Sequence, residues 1–133
     1  MSNPVIKQPK AAKRPRFSIR ARLKSFRYAW DGMREFFAWQ HNAIIHAVAT
    51  LVVIVLGILT KLHSMEWIFI SIVTGLVWMA ELFNTAIEKL CDLVSPGFNP
   101  KVKFIKDVAA AAVLVSAIIA AITGLIIFIP KLL

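Results

Sequence analysis

The chain has 133 residues, 59 % of them hydrophobic, and a formal net charge of +9, a length that suits one domain. Its mean hydropathy of +0.72 lies far above that of soluble globular chains and points to an integral membrane protein. Ten of the 16 Lys and Arg residues precede residue 35, so anionic lipid headgroups and topogenic charge account for them, and nucleic acid is set aside.

The lone cysteine, Cys91, excludes an internal disulfide and argues against a zinc cluster. His41, His46 and His63 lack metal-ligand partners at useful spacing and read as interface or packing residues. Residues 1–16 place Pro4, Pro9 and Pro15 among Lys and Arg, which predicts a disordered basic tail. It does not read as a secretory signal, because the first apolar run starts only near Ala43 and no small-residue cleavage pattern follows. Residues 17–133 are expected to form a single membrane domain.

Over residues 17–40, Ile19, Leu23, Phe26, Trp30, Met33 and Phe37 recur at spacings of 4, 3, 4, 3 and 4, one apolar face of a helix. Arg20, Lys24, Arg27 and Arg34 form a basic stripe beside it. An aromatic apolar face flanked by Arg and Lys predicts an amphipathic helix lying in the membrane interface. Spans are expected at about 43–60, 67–90 and 108–129, the first at the short end of what crosses a bilayer. A tight polar connection, Lys61 to Glu66, joins the first two. A loop from Leu93 to Lys106, marked by "SPGFNP" and carrying Lys101, Lys103 and Lys106, joins the last two. Pro130 and Lys131 close the third. The fold class is therefore all-α integral membrane: a surface helix and three transmembrane helices.

The N-terminal arm and the second loop hold most of the positive charge, and the first loop holds Lys61 alone. By the positive-inside rule the N-terminus and second loop face the cytoplasm. The third span places Ala112, Ser116, Ala120 and Gly124 four apart, a ridge that lets helix backbones approach in lipid. Three thin helices enclose a polar site poorly, so self-association is expected to supply further walls.

The second span runs into "ELFNTAIEKLCD", where Glu81, Asn84, Glu88 and Asp92 share one stripe, since a helix turns about 100° per residue. A carboxylate near a bilayer centre costs on the order of 2.5–3.5 kcal/mol. Asp92 reads equally as a headgroup-zone residue ending the span. Glu81 has apolar neighbours on both sides, so a functional role leads there. Two carboxylates and an amide suit a hard divalent cation, and apolar surroundings make a carboxylate a better proton acceptor. Only five glycines occur and no Gly-rich phosphate loop is present, so a nucleotide has to be held by metal, Lys and Arg.

The run "ELFNTAIEKLCD" resembles the signature of the prokaryotic diacylglycerol kinase family, small three-span membrane enzymes that include undecaprenol kinases. "KVKFIKDVAAAAV", "SFRYAWDGMR" and "QHNAIIH" are similar to the family as well, extending the likeness from Ser25 to the C-terminus. The resemblance implies a homotrimer with active sites shared between protomers, ATP and Mg²⁺ as cofactors, phosphorylation of a membrane lipid hydroxyl, and a multi-pass place in the bacterial inner membrane with the N-terminus cytoplasmic. By motif position it makes Glu81 the general base, with Asn84 orienting, and Glu88 a metal ligand. Lys106 and Asp107 would hold nucleotide, with contributions from Tyr28 and Lys24. A second metal-binding Glu of the family falls on Gln40, and a family His is replaced by Asn99. Gln40 offers a carbonyl oxygen without charge, which supports an alternative reading, a catalytically silent scaffold subunit of the same fold. A cation-conducting assembly ranks last, because Trp67 to Ala80 offers only Ser71 and Thr74 as further polar residues.

Overall fold

The computed structural model describes residues 18–133; the expected disordered tail lies outside the described residues. Four helices and no strand occur among these residues: α1 (Ile19–Trp39), α2 (His41–Leu59), α3 (Ser64–Val94) and α4 (Pro100–Leu132). The last three are long and apolar enough to cross a membrane. The chain divides after Gly32 into two units.

In the first unit Ser18 Oγ accepts the Ala21 N–H at 3.4 Å where α1 begins. Arg27 faces Asp31 at 4.0 Å one turn on. Ile19, Leu23, Phe26 and Trp30 are all exposed.

The second unit begins with the last turns of α1. Gln40 is the single non-helical residue between α1 and α2, with φ −109° and ψ 109°. Its N–H donates to the Phe36 carbonyl at 3.0 Å and its own carbonyl accepts from Ala43 at 3.2 Å. The break therefore bends the chain without orphaning its backbone groups.

The α2–α3 connection is shorter than the expected Lys61–Glu66. After Thr60, Leu62 N–H bonds the Gly57 carbonyl at 3.0 Å and Lys61 N–H bonds the Ile58 carbonyl at 3.2 Å. This is the Schellman ending, whose residue after the cap turns left-handed; Lys61 takes that position with φ 52°. α3 then starts at Ser64, with the Glu66 carboxylate accepting the His63 N–H at 2.7 Å.

The expected loop from Leu93 to Lys106 is also shorter, because α4 starts at Pro100. The cause is local: the Asn99 side chain accepts the Lys101 N–H at 2.9 Å, an N-cap, and Pro100 occupies the first helical position, where a missing N–H costs nothing. Lys101, Lys103 and Lys106 thus ride on the first two turns of α4. At its other end α4 continues through Pro130 to Leu132 instead of closing there. A 31-residue helix such as α3 is ~46 Å long against a hydrocarbon core of ~30 Å. Hydropathy marks only the lipid-embedded part, and polar helix ends extend beyond it.

α3 and α4 lie antiparallel and make the most extensive helix pair. An ion pair joins them at each end: Asp92 to Lys106 at 2.5 Å and Glu66 to Lys131 at 3.1 Å. α2 meets α3 at two levels. Gly57 is buried where a Cβ would lie 2.6 Å from Trp67 Cη2, and farther in Trp78 Nε1–H donates to Thr50 Oγ1 at 3.0 Å. A core of Leu62, Ile70 and Phe128 closes the end near the α2–α3 turn.

Candidate active site

α3 turns one face inward along its whole length. Ile70, Val73 and Val77 are buried on it, and the same face continues through Glu81 (1 % exposed), Asn84 (6 %), half-buried Glu88 and buried Cys91. Their spacings of 3 and 4 keep them on one side. The face is apolar in its first half and polar in its second, so packing that buries the valines also buries the carboxylate of Glu81. Asp92 was expected on this stripe. Cys91 takes the buried position instead, and Asp92 sits at the edge, turned to Lys106.

Asn84 Nδ2–H donates to Glu88 Oε1 at 3.3 Å, joining two of the expected site residues. Asn84 Oδ1 and the neighbouring Thr85 hydroxyl are buried with no partner. Leaving a buried acceptor unmade costs ~1–3 kcal/mol, so an orphan amide oxygen beside a carboxylate marks a place for a ligand. A carboxylate with an amide oxygen is a donor set that fits Mg²⁺. No group of three or more His, Cys, Asp or Glu suited to a metal occurs among the described residues. Further oxygens therefore have to come from elsewhere, as when Mg²⁺ arrives on phosphates.

Gln40 is half-buried at the start of α2 and its side chain makes no cap bond. The Thr50–Trp78 bond fixes the antiparallel register of α2 and α3. Gln40 and Glu88 each lie ten residues from that bond, the one before Thr50 and the other after Trp78, and no hydrogen bond joins them among the described residues. Lys106 and Asp107 close the second turn of α4. Lys106 pairs with Asp92, and Asp107 pairs with Lys103. Lys24 and Tyr28 are exposed on the first unit, and their assignment to nucleotide rests on the resemblance alone.

One turn from Glu81 lies a group that the sequence did not single out. The Trp78 ring meets the edges of Phe36 and His46 at centroid distances of 6.2 and 6.1 Å. Its indole N–H binds Thr50, whose hydroxyl donates to the His46 carbonyl at 2.7 Å. Trp and Tyr place a polar atom only where a partner exists, and a threonine on the facing span was the available signal. From Trp78 an apolar groove of about 540 Å³ opens between α2, α3 and α4, running past Gly124 to Phe128 and Leu132.

Residues 27–128 match the family described as Prokaryotic diacylglycerol kinase. The chain is 42 % identical over 110 residues to an undecaprenol kinase of Bacillus subtilis, covering 83 % of this chain and 89 % of that one. It is 40 % identical over 112 residues to a diacylglycerol kinase of Synechocystis, covering 84 % and 64 %. Identity to the diacylglycerol kinase of Escherichia coli K12 is 29 % over 103 residues, covering 76 % and 83 %.

Proposed function

The chain belongs to the prokaryotic diacylglycerol kinase family and is a membrane-spanning lipid kinase, and from that premise we propose how its residues carry the transfer. The acceptor is the hydroxyl of a membrane lipid alcohol, of the diacylglycerol or undecaprenol kind, and the donor is ATP. The observation that carries the reading is the burial of Glu81 beside the unpartnered Asn84 Oδ1, deep in an apolar helix pair. Glu81 accepts the proton of the lipid hydroxyl while that oxygen forms its bond to the γ-phosphorus. The bond from phosphorus to the leaving ADP oxygen breaks. Asn84 orients the carboxylates. Lys106 and Asp107 hold the nucleotide, Lys106 as a point charge on phosphate. Mg²⁺, when bound by Glu88 with Gln40 and the phosphates, supplies charge neutralisation on the transferring group.

The same reading makes α1 an interfacial helix whose basic stripe contacts anionic headgroups. It also makes the active protein a homotrimer in the bacterial inner membrane with its N-terminus cytoplasmic. Residues 17–133 form the catalytic domain and the first 16 a basic tail. Gln40 favours one alternative, a silent scaffold subunit, because an amide cannot neutralise a cation. Purified protein in lipid–detergent micelles decides between them. Phosphate should pass from ATP to added lipid alcohol in a Mg²⁺-dependent way, whereas a folded protein that transfers none is the scaffold.

A further inference from the structure

Asp92 has no part in the transfer just described, yet its partner does. Lys106 reaches across from α4 and its ammonium sits 2.5 Å from Asp92 Oδ1, with the two side chains 35 % and 60 % exposed. Asp92 lies one turn beyond Glu88 on α3. Glu88 is also near enough to Lys106 to act on it electrostatically, as is Cys91. The ammonium thus bonds Asp92 and also feels the charge of Glu88, one turn back on the same helix.

Lysine does not choose between them by shape. Its charge sits on a flexible four-carbon stem with three rotatable donors, so it follows whichever anion is nearest. If it turned to Glu88, that carboxylate would be neutralised by an internal cation. The loss would not be made good nearby, because no cluster of three metal-ligating acidic, His or Cys side chains exists among the described residues.

We propose that Asp92 is a positioning residue: it holds one donor of Lys106 at the edge of the stripe, leaves the others for nucleotide phosphate, and so keeps the Glu88 carboxylate free for a divalent cation. The inference rests on the reading of Glu88 as a metal ligand. It also explains why a carboxylate persists at the exposed edge of the face after burial has passed to Cys91. Asp92 acts through Lys106 and touches neither metal nor substrate.

The test is Mn²⁺ binding followed by electron paramagnetic resonance, on purified protein with a non-hydrolysable ATP analogue kept saturating in every variant. Loss of a partner that orients a metal ligand typically weakens binding ~10–100-fold, and Asp92→Asn should fall in that range. Asp92→Glu keeps the charge and should bind close to wild type. Lys106→Met removes the competing cation, so adding Asp92→Asn to it should cost no further affinity, a coupling read by the double-mutant cycle. If Asp92→Asn binds Mn²⁺ like wild type, the inference is wrong. If the loss persists undiminished in the Lys106→Met background, Asp92 is itself a ligand and the inference is equally wrong. Glu88→Gln separates the two levels: if it retains wild-type Mn²⁺ affinity, the metal reading itself fails, whatever Asp92 does.

Discussion

Glu81 is buried to 1 % exposure where the inward face of α3 passes from apolar to polar, and the role proposed for it depends on one proton. Glu81→Gln keeps the shape and removes the acceptor. A general base contributes ~10²–10⁴-fold in rate, so turnover should drop by that much with the assembly intact, and a drop within about threefold on the same scale would remove Glu81 from the role. Gln40 is the complementary case. If it meets the metal as proposed, its uncharged amide would leave one positive charge of Mg²⁺ unbalanced, in a setting where the effective dielectric is nearer ~20 than 80. Gln40→Glu should lower the Mg²⁺ concentration for half-maximal turnover and Gln40→Ala should raise it. An unchanged Mg²⁺ dependence in Gln40→Glu would show that residue 40 does not meet the ion. The burial of Glu81 was legible in the sequence from its apolar neighbours, while Gln40 was singled out there by the motif alone. The Asp92–Lys106 pair was not, since a contact across 14 residues depends on where α4 begins. Asn99 and Pro100 held that signal, and three nearby lysines made the stretch look like a loop.

At the scale of helices, two glycines that look alike in sequence do opposite things. A Cβ on Gly57 would meet Trp67 at 2.6 and 2.8 Å and Leu62 at 3.1 Å. Trp67 is half-buried and packs against the Leu62–Ile70–Phe128 core, so it cannot simply swing away. Overpacking of this kind costs ~1–3 kcal/mol. Gly57→Ala should lower the thermal midpoint in detergent, and an unchanged midpoint would mean that the α2–α3 turn yields freely. Gly124 has nothing within 4 Å of where its Cβ would be. It lines the open groove with Ala120, while Ala112 and Ser116 line a second opening on the other side of α3's contact with α4. The small-residue ridge is therefore not what seats α4 on α3 within one chain. Gly124→Leu should leave the fold of a single chain in place and weaken self-association, read as a shift to smaller species by light scattering in detergent. If the assembly is unchanged, the ridge faces lipid. Periodicity revealed the ridge and its capacity for close approach; it had no means of showing which helix, if any, fills it.

For the whole molecule, everything proposed for the site depends on which side of the membrane it faces. The ion pairs at the two ends of α3 and α4 fix which residues share an end: Asp92 and Lys106 at one, Glu66 and Lys131 at the other. The first end carries Lys89, Lys101, Lys103 and Lys106, whereas the second carries Lys61 and Lys131. Lysines within the first turns of a span count towards orientation as loop lysines do, so the earlier start of α4 leaves the bias intact. The positive-inside rule predicts a cytoplasmic Asp92 end, on the side where ATP is found. Single cysteines in a Cys91→Ser background test this with a membrane-impermeant thiol reagent. Ser64→Cys is exposed at the α2–α3 turn and should be labelled in intact cells. At the other end Gly97 is the better site than Asn99. It is exposed with open space around its Cβ position, whereas Asn99 caps α4 and its loss would cost ~1 kcal/mol. Gly97→Cys should react only after the membrane is permeabilised. The reverse pattern would put Glu81, Glu88 and Lys106 out of reach of cytosolic nucleotide, and the kinase chemistry assigned to them could not run as described.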